Sequence, residues 1–187
     1  MCSSDLATLG ESMGIGHQVL KLTKQGEVVM RLGEAAVWGD DENHFNGPSG
    51  VASAANGDIW VSDGHRGGNN RIVKFTRDGM FVLAVGGGVG SESREPSRFS
   101  DAHDIKIDSQ DRVLVADRGN SRIQVFDQDG ELLYLWTHYG KPSGLFIDRN
   151  DILYAGDGLS GQLRTGPPDP WRSNFGWEKG IRIGDLK

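Results

Sequence analysis

The stretch PSGVASAANGDIWVSD at residues 48–63 returns as AHDIKIDSQDRVLVAD at 102–117 and again as PSGLFIDRNDILYAGD at 142–157, in register and without a gap. Each copy holds a short apolar run, a polar turn, a second run rich in β-branched and aromatic residues, and a closing aspartate: Asp63, Asp117 and Asp157. Alternation of apolar and polar positions over runs this short is the mark of a β-strand. The first two copies continue alike, as NNRIVKFTRDGMFV (69–82) and GNSRIQVFDQDGEL (119–132), with Arg71 and Arg122 each followed eight residues later by Gly79 and Gly130. The pairs Asp78–Gly79 and Asp129–Gly130 suit tight turns, because glycine takes positive φ at no steric cost. Upstream, HQVLKLTKQGEVV (17–29) repeats only the second half of the unit, with Gly26 in the turn.

A complete unit therefore reads as four short strands, and such a unit recurring at roughly 40–55 residues is the signature of a β-propeller blade. The expected fold is an all-β propeller of four-stranded blades, present as an incomplete set of about three and a half. The expected division is a non-native leader over 1–6, a partial blade over 7–38, complete blades over 39–90 and 91–140, and an incomplete blade with a long loop insertion over 141–187. The leader is expected because Cys2 to Leu6 would be encoded by TGC-TCT-TCC-GAT-CT and any base, the end of a common sequencing adapter. Propellers close with about 4–8 blades, so the set is expected to be a fragment of a larger parent; an open set leaves strand edges at both ends.

Composition narrows the function. With 20 basic and 26 acidic side chains the net charge is −6 and no basic cluster stands out, which argues against a nucleic-acid or anionic-membrane surface. No apolar run approaches the roughly 18 residues of a transmembrane helix. The single cysteine, Cys2, excludes an intrachain disulfide and a Cys-rich metal site. MCSSDL lacks the basic start and apolar core of a secretory signal, and with a non-native leader in that place any localisation signal is lost, so the compartment is not legible.

One position breaks the repeat. Where two copies have Ser49 and Ser143, the middle one has His103. The strings HQVLKL, NHFNGPSGVA, VSDG with NNRIVKF, RFSDAHDI and VADRGNSRIQVF resemble the NHL repeat family of β-propellers. Within that family they are most similar to the catalytic core of the peptidyl-α-hydroxyglycine α-amidating lyases, from about His17 to Asp157. The resemblance implies a six-bladed parent, prokaryotic in style, in a periplasmic or secreted setting. It also implies a zinc ion in the central channel, a structural calcium ion, and cleavage of a C-terminal hydroxyglycine to a peptide amide and glyoxylate. In that family, histidines opening three inner strands hold the zinc. His103 matches the middle one, with Ala102 in place of the family's proline, and the other two would fall before residue 11 and after residue 187.

Two further roles are implied by the same resemblance. Arg118, in ADRGNSR, matches a substrate-pocket arginine, a residue type suited to holding a carboxylate. His65 stands where the family has its catalytic tyrosine; a histidine can serve as base or ligand, but it is not a phenol. Asn46 and Arg66 occupy the two positions of a family disulfide.

The remaining candidates read as scaffold. Asp63, Asp117 and Asp157 are expected to accept backbone N–H groups of the following turn. Arg71 and Arg122 are expected to pair with these aspartates, a contact worth about 0.2–1 kcal/mol if exposed. Asp104 reads as a strand cap, and His17, His44 and His138 as surface residues. GGGVG at 86–90 lacks the strand–helix setting of a phosphate loop and reads as a linker. RTGPPDPWRSNFGW at 164–177 reads as a rim loop over the channel mouth. Three functions compete: metal-assisted cleavage of a hydroxyglycine-like C–N bond, with His103 on zinc, Arg118 on the carboxylate and His65 as base; a non-catalytic propeller whose rim binds a protein, peptide or small ligand; and, last, a lactonase-like propeller, for which Asp104 is the only acid at an inner-strand start.

Overall fold

The computed structural model describes residues 16–87, 93–161 and 177–187. Strands β1 (Val19–Leu22) and β2 (Val28–Leu32) form a two-stranded sheet. Strands β3 (Pro48–Ser53), β4 (Ile59–Asp63), β5 (Arg71–Phe75) and β6 (Phe81–Gly86) form a four-stranded meander. A second meander holds β7 (Ala102–Ile107), β8 (Val113–Asp117), β9 (Arg122–Phe126) and β10 (Leu132–Trp136). The last sheet has β11 (Pro142–Ile147), β12 (Ile152–Asp157) and β13 (Gly180–Asp185). Neighbouring strands are antiparallel throughout, and the only helical element among the described residues is a 3-10 turn at His65–Gly67. The leader at 1–6, part of the linker at 86–90 and nearly all of the insertion at 164–177 lie outside the described residues.

The turn chemistry behaves as expected. Gly79 (φ 88°) and Gly130 (φ 82°) take left-handed conformations between β5 and β6 and between β9 and β10. The middle strands β4, β5, β8 and β9 are buried along their whole length, whereas β6 and β10 are largely exposed. Three apolar cores fill the spaces between consecutive sheets: Leu32, Phe45, Val61 and Phe75 in the first, Trp60, Ile105, Val115 and Phe126 in the second, and Leu114, Ile123, Leu145 and Leu153 in the third. Sheets stacked face to face, with β3, β7 and β11 side by side, are consecutive propeller blades.

The recurring aspartates differ from expectation in two ways. They are sealed from solvent, so the surface ion-pair estimate does not apply. In the register each faces the first residue of its inner strand: Pro48 opposite Asp63, Ala102 opposite Asp117 and Pro142 opposite Asp157. For Asp63 and Asp117 the backbone donor then lies in the loop before that strand and not in the following turn, while Asp157 takes backbone donors from both. Asn46 N–H reaches Asp63 at 2.8 Å, Ser100 N–H reaches Asp117 at 2.8 Å and Lys141 N–H reaches Asp157 at 3.0 Å. Among the described residues, Asp157 alone also takes backbone donors from the following turn, Leu159 and Ser160, whereas that turn reaches Asp63 and Asp117 through the side chains of Asn69 and Asn120.

The arginines do pair: Arg71 Nε lies 3.0 Å from Asp63, Arg122 Nε 2.6 Å from Asp117, and Arg182 Nη1 of β13 3.0 Å from Asp157. Their remaining nitrogens bind carbonyls of the preceding loop, Asp40, Asp41 and His44 for Arg71 and Arg94, Glu95 and Arg98 for Arg122. Burial pushes the Asp117 carboxyl up to about 6 against the pull of Arg122, and raises Asp63 likewise. Removing one partner of such a pair strands a buried charge, at a cost of about 3–5 kcal/mol. Asp117→Ala is therefore expected to lower unfolding free energy by about that much in urea titration; a loss of about 1 kcal/mol or less, as for a surface pair, would refute the structural role assigned here.

Candidate functional site

The sheets converge on their inner strands, and the odd residue of the repeat sits on the middle one. In each inner strand the pairing slips at the second position: Pro48 and Gly50 pair across to β4, Ala102 and Asp104 to β8, Pro142 and Gly144 to β12. Ser49, His103 and Ser143 are the unpaired residues of these bulges. A bulge frees a side chain from the alternating pleat and re-aims it. Ser49 Oγ donates to the Ala102 carbonyl of the next blade at 2.9 Å, and His103 Nδ1 donates to the Ser143 carbonyl at 2.5 Å.

That second bond orients the imidazole. A carbonyl only accepts, so Nδ1 carries the proton and Nε2 keeps its lone pair. Burial lowers the His103 pKa to about 4, aided by the positive charge of Arg118 and by His65, against the opposing pull of Asp101 and the Ser143 carbonyl. Neutral imidazole with one nitrogen tied to a backbone carbonyl is the state of a metal-bound histidine.

His65 comes from the 3-10 turn that follows β4 in the preceding blade. Its ring stands edge-on to that of His103, with centroids 4.7 Å apart. The side chain is 8% exposed, and neither ring nitrogen makes an aligned hydrogen bond; Nδ1 lies 3.3 Å from Asp101 Oδ1. Where the family would join these loops by a disulfide at positions 46 and 66, backbone bonds do so instead. His65 N–H donates to Gly47 O at 3.0 Å and Asn69 N–H to Asn46 O at 3.1 Å.

Arg118, in the turn between β8 and β9, closes the cluster. Its Nε and Nη2 both bind Asp101 Oδ2, at 2.9 and 2.5 Å. The structure thus brings His65, His103 and Arg118 together, but the arginine is not wholly open to a substrate carboxylate: a protein carboxylate already takes two of its nitrogens. Burial raises the Asp101 pKa, but contacts from His65, Arg118 and the Arg66 N–H outweigh it and hold the carboxyl well below the usual range.

Asp101 escaped notice in the sequence. Its signal was there, because the equivalent position is Gly47 in one copy and Lys141 in the other. Asp104, expected as a strand cap, lies inside β7 instead and bridges two inner strands: it accepts the Leu145 N–H of the next blade and the Ile105 N–H, each at 2.8 Å.

The other histidines separate. His138 is exposed, and His44 is half-buried against Asp41, at 2.8 Å. His17 corrects the surface expectation. It is 4% exposed, and its backbone carbonyl approaches Gly33 so closely that a Cβ there would meet it. As for ions, the described residues include no group of three or more His, Cys, Asp or Glu placed to hold one. His103 fits the part of one zinc ligand, and further donors would have to come from beyond the described residues; calcium has no acidic cage there either.

Comparison with known proteins places these elements in context. Residues 45–75 and 99–126 match the NHL repeat model. The chain is 40% identical over 126 residues to NHL repeat-containing protein 3 of Homo sapiens, covering 66% of this chain and 35% of that protein. It is 41% identical over 112 residues to a "Probable peptidyl-alpha-hydroxyglycine alpha-amidating lyase" of Caenorhabditis elegans, covering 59% and 31%. The chain thus spans about a third of the length of these relatives. Among solved structures, the luciferin-regenerating enzyme superposes with a TM-score of 0.57 at 14% identity, over 90% of this chain and 52% of that one, a likeness of fold.

A histidine held neutral favours the folded state fully above its ordinary pKa of 6.5, and that contribution is lost as pH falls through about 4. Residue-resolved NMR should show His103 protonating near 4. Protonation near 6.5 would contradict the burial and charge arrangement described.

Proposed function

We propose that this chain, which carries NHL repeats and folds as consecutive blades of a β-propeller related to the amidating lyases, forms part of a lyase channel. The reaction at its mouth would split a C-terminal α-hydroxyglycine into a peptide amide and glyoxylate. One observation carries the reading: His103 has Nδ1 anchored on the Ser143 carbonyl and Nε2 left as a lone pair beside the edge-on His65 ring, whose nitrogens make no aligned hydrogen bond.

Each residue then has a task. His103 Nε2 would be one zinc ligand, and zinc bound there would polarise the substrate's hydroxyl or carbonyl oxygen. Arg118 Nη1, without a bond among the described residues, would meet the substrate carboxylate. His65 Nε2 would take the hydroxyl proton as the C–N bond breaks, the electron pair of that bond and a proton ending on the departing amide nitrogen. Both imidazoles are buried, His65 Nε2 completely, so its part as base would require the ring to swing out toward the bound substrate.

A second reading has a specific observation behind it. With two nitrogens of Arg118 already bound to Asp101, the cluster is internally neutralised, which suits a channel mouth that binds a peptide or small ligand without chemistry. The similarity to NHL repeat-containing protein 3 is compatible with it.

The deciding experiment incubates the full-length protein with a peptide ending in α-hydroxyglycine and measures glyoxylate alongside zinc content. The lyase reading expects zinc-dependent glyoxylate release, and His103→Ala should cut zinc retention by about tenfold or more. Peptide binding without glyoxylate, unaffected by chelation, would replace it with the binding reading.

A further inference from the structure

We propose that Asp101 is a positioning residue that locks His65 and Arg118 together across the joint between two blades, Oδ1 keeping the His65 proton on Nδ1 and Oδ2 holding the Arg118 guanidinium. Its catalytic meaning rests on the reading of His65 as the proton acceptor; its structural meaning does not.

The backbone supplies the first argument. Asp101 sits at φ 60°, in the left-handed region, at the position where the preceding copy has Gly47 at φ 93°. Glycine adopts that conformation freely, and an L-residue does so at a cost, smallest for Asn and Asp. An acid retained at a glycine position needs a compensating use. The Asn70 side chain holds it there, its Oδ1 accepting the Asp101 N–H at 2.8 Å from the neighbouring blade.

The two carboxylate oxygens then divide their work. Oδ2 takes both Arg118 N–H bonds. Oδ1 accepts the Arg66 N–H at 3.1 Å and faces His65 Nδ1 at 3.3 Å. The alignment at that distance falls short of a full hydrogen bond, yet the electrostatics are one-sided. A lone pair on Nδ1 would point at a carboxylate oxygen, whereas an N–H there is attracted to it. The favoured tautomer leaves Nε2 bare, and Nε2 is buried with no other partner. One carboxylate thus sets the tautomer of an imidazole from one blade and restrains a cation from the next. His65 and Arg118 belong to different blades, so a carboxylate between them sets their mutual position more firmly than either loop does alone.

The test reads the tautomer directly, by imidazole-nitrogen NMR of the histidine-labelled chain at neutral pH. In the unaltered protein the His65 proton is expected on Nδ1; finding it on Nε2 would overturn the proposal with no variant needed. Asp101→Asn suits the left-handed backbone, and its one carbonyl oxygen should turn to the Arg118 donors and its amide toward His65, moving the proton to Nε2. Asp101→Gly, with Gly47 as backbone precedent, should release the tautomer without strain. Retention of the Nδ1–H form in both folded variants would also overturn it.

Glyoxylate assays on the full-length protein separate the two readings. A tautomer switch with no glyoxylate from the unaltered protein sinks the lyase reading and leaves the positioning role standing. Where glyoxylate is released, Asp101→Asn should lower kcat by about tenfold or more, part of the ~10²–10⁴-fold that a positioned base supplies. An unchanged kcat beside a switched tautomer would overturn the catalytic meaning.

Discussion

Buried carboxylate–guanidinium pairs are the constraint on which the rest of this structure leans. Asp63 and Asp117 end the second strand of their blades, and Arg71 and Arg122 begin the third. The guanidinium of each spans from its aspartate to carbonyls in the loop that leads into the blade, while the aspartate takes a backbone N–H from the same loop. Loop backbone that would otherwise be buried with unmet hydrogen bonds is thereby satisfied, and each blade acquires a defined entry. Asn69 and Asn120 add a further donor to the same carboxylates. With that entry set, the inner strand must begin at Pro48 or Ala102, and the bulge one residue on falls at Ser49 or His103.

A second bracket works at the opposite end of the inner strands. Asp111 and Asp151, both at left-handed φ, accept the N–H of Ala55 and Ser109 in the turn of the preceding blade. Gly57 holds the same place in the 48–63 copy and carries no side chain to reach back. Blades are thus joined by apolar cores in the middle and polar clasps at the turns. Repeat proteins draw much of their stability from such neighbour contacts. The stacking has a direct consequence for the site, since His65, Asp101 and Arg118 come from turns of two neighbouring blades and meet only because the blades are in register.

The chemistry of the cluster follows from charge balance in a confined space. Arg118 cannot sit unpaired at low exposure, and Asp101 meets that demand. Its charge also bears on the imidazoles, opposing the loss of basicity that burial and Arg118 impose on His103. The result is a neutral histidine with one free nitrogen, beside a second histidine whose ring nitrogens make no aligned hydrogen bond.

Much of this was legible from the amino-acid order alone. Strand periodicity, the Asp–Gly turns and the ungapped copies at 48–63, 102–117 and 142–157 determined the all-β blade architecture, because alternation and turn chemistry are local properties that survive without knowledge of neighbours. The substitution of His103 for serine within a repeat likewise singled out one residue of the site. Tertiary structure alone decided the rest. That the Asp–Arg pairs are buried, that His17 is covered, and that Asp101 joins His65 to Arg118 depend on which loops meet across a blade joint. An aspartate reads the same in sequence whether it faces water or a guanidinium; only the packing of one blade on the next sets its surroundings, and with them its charge and its role.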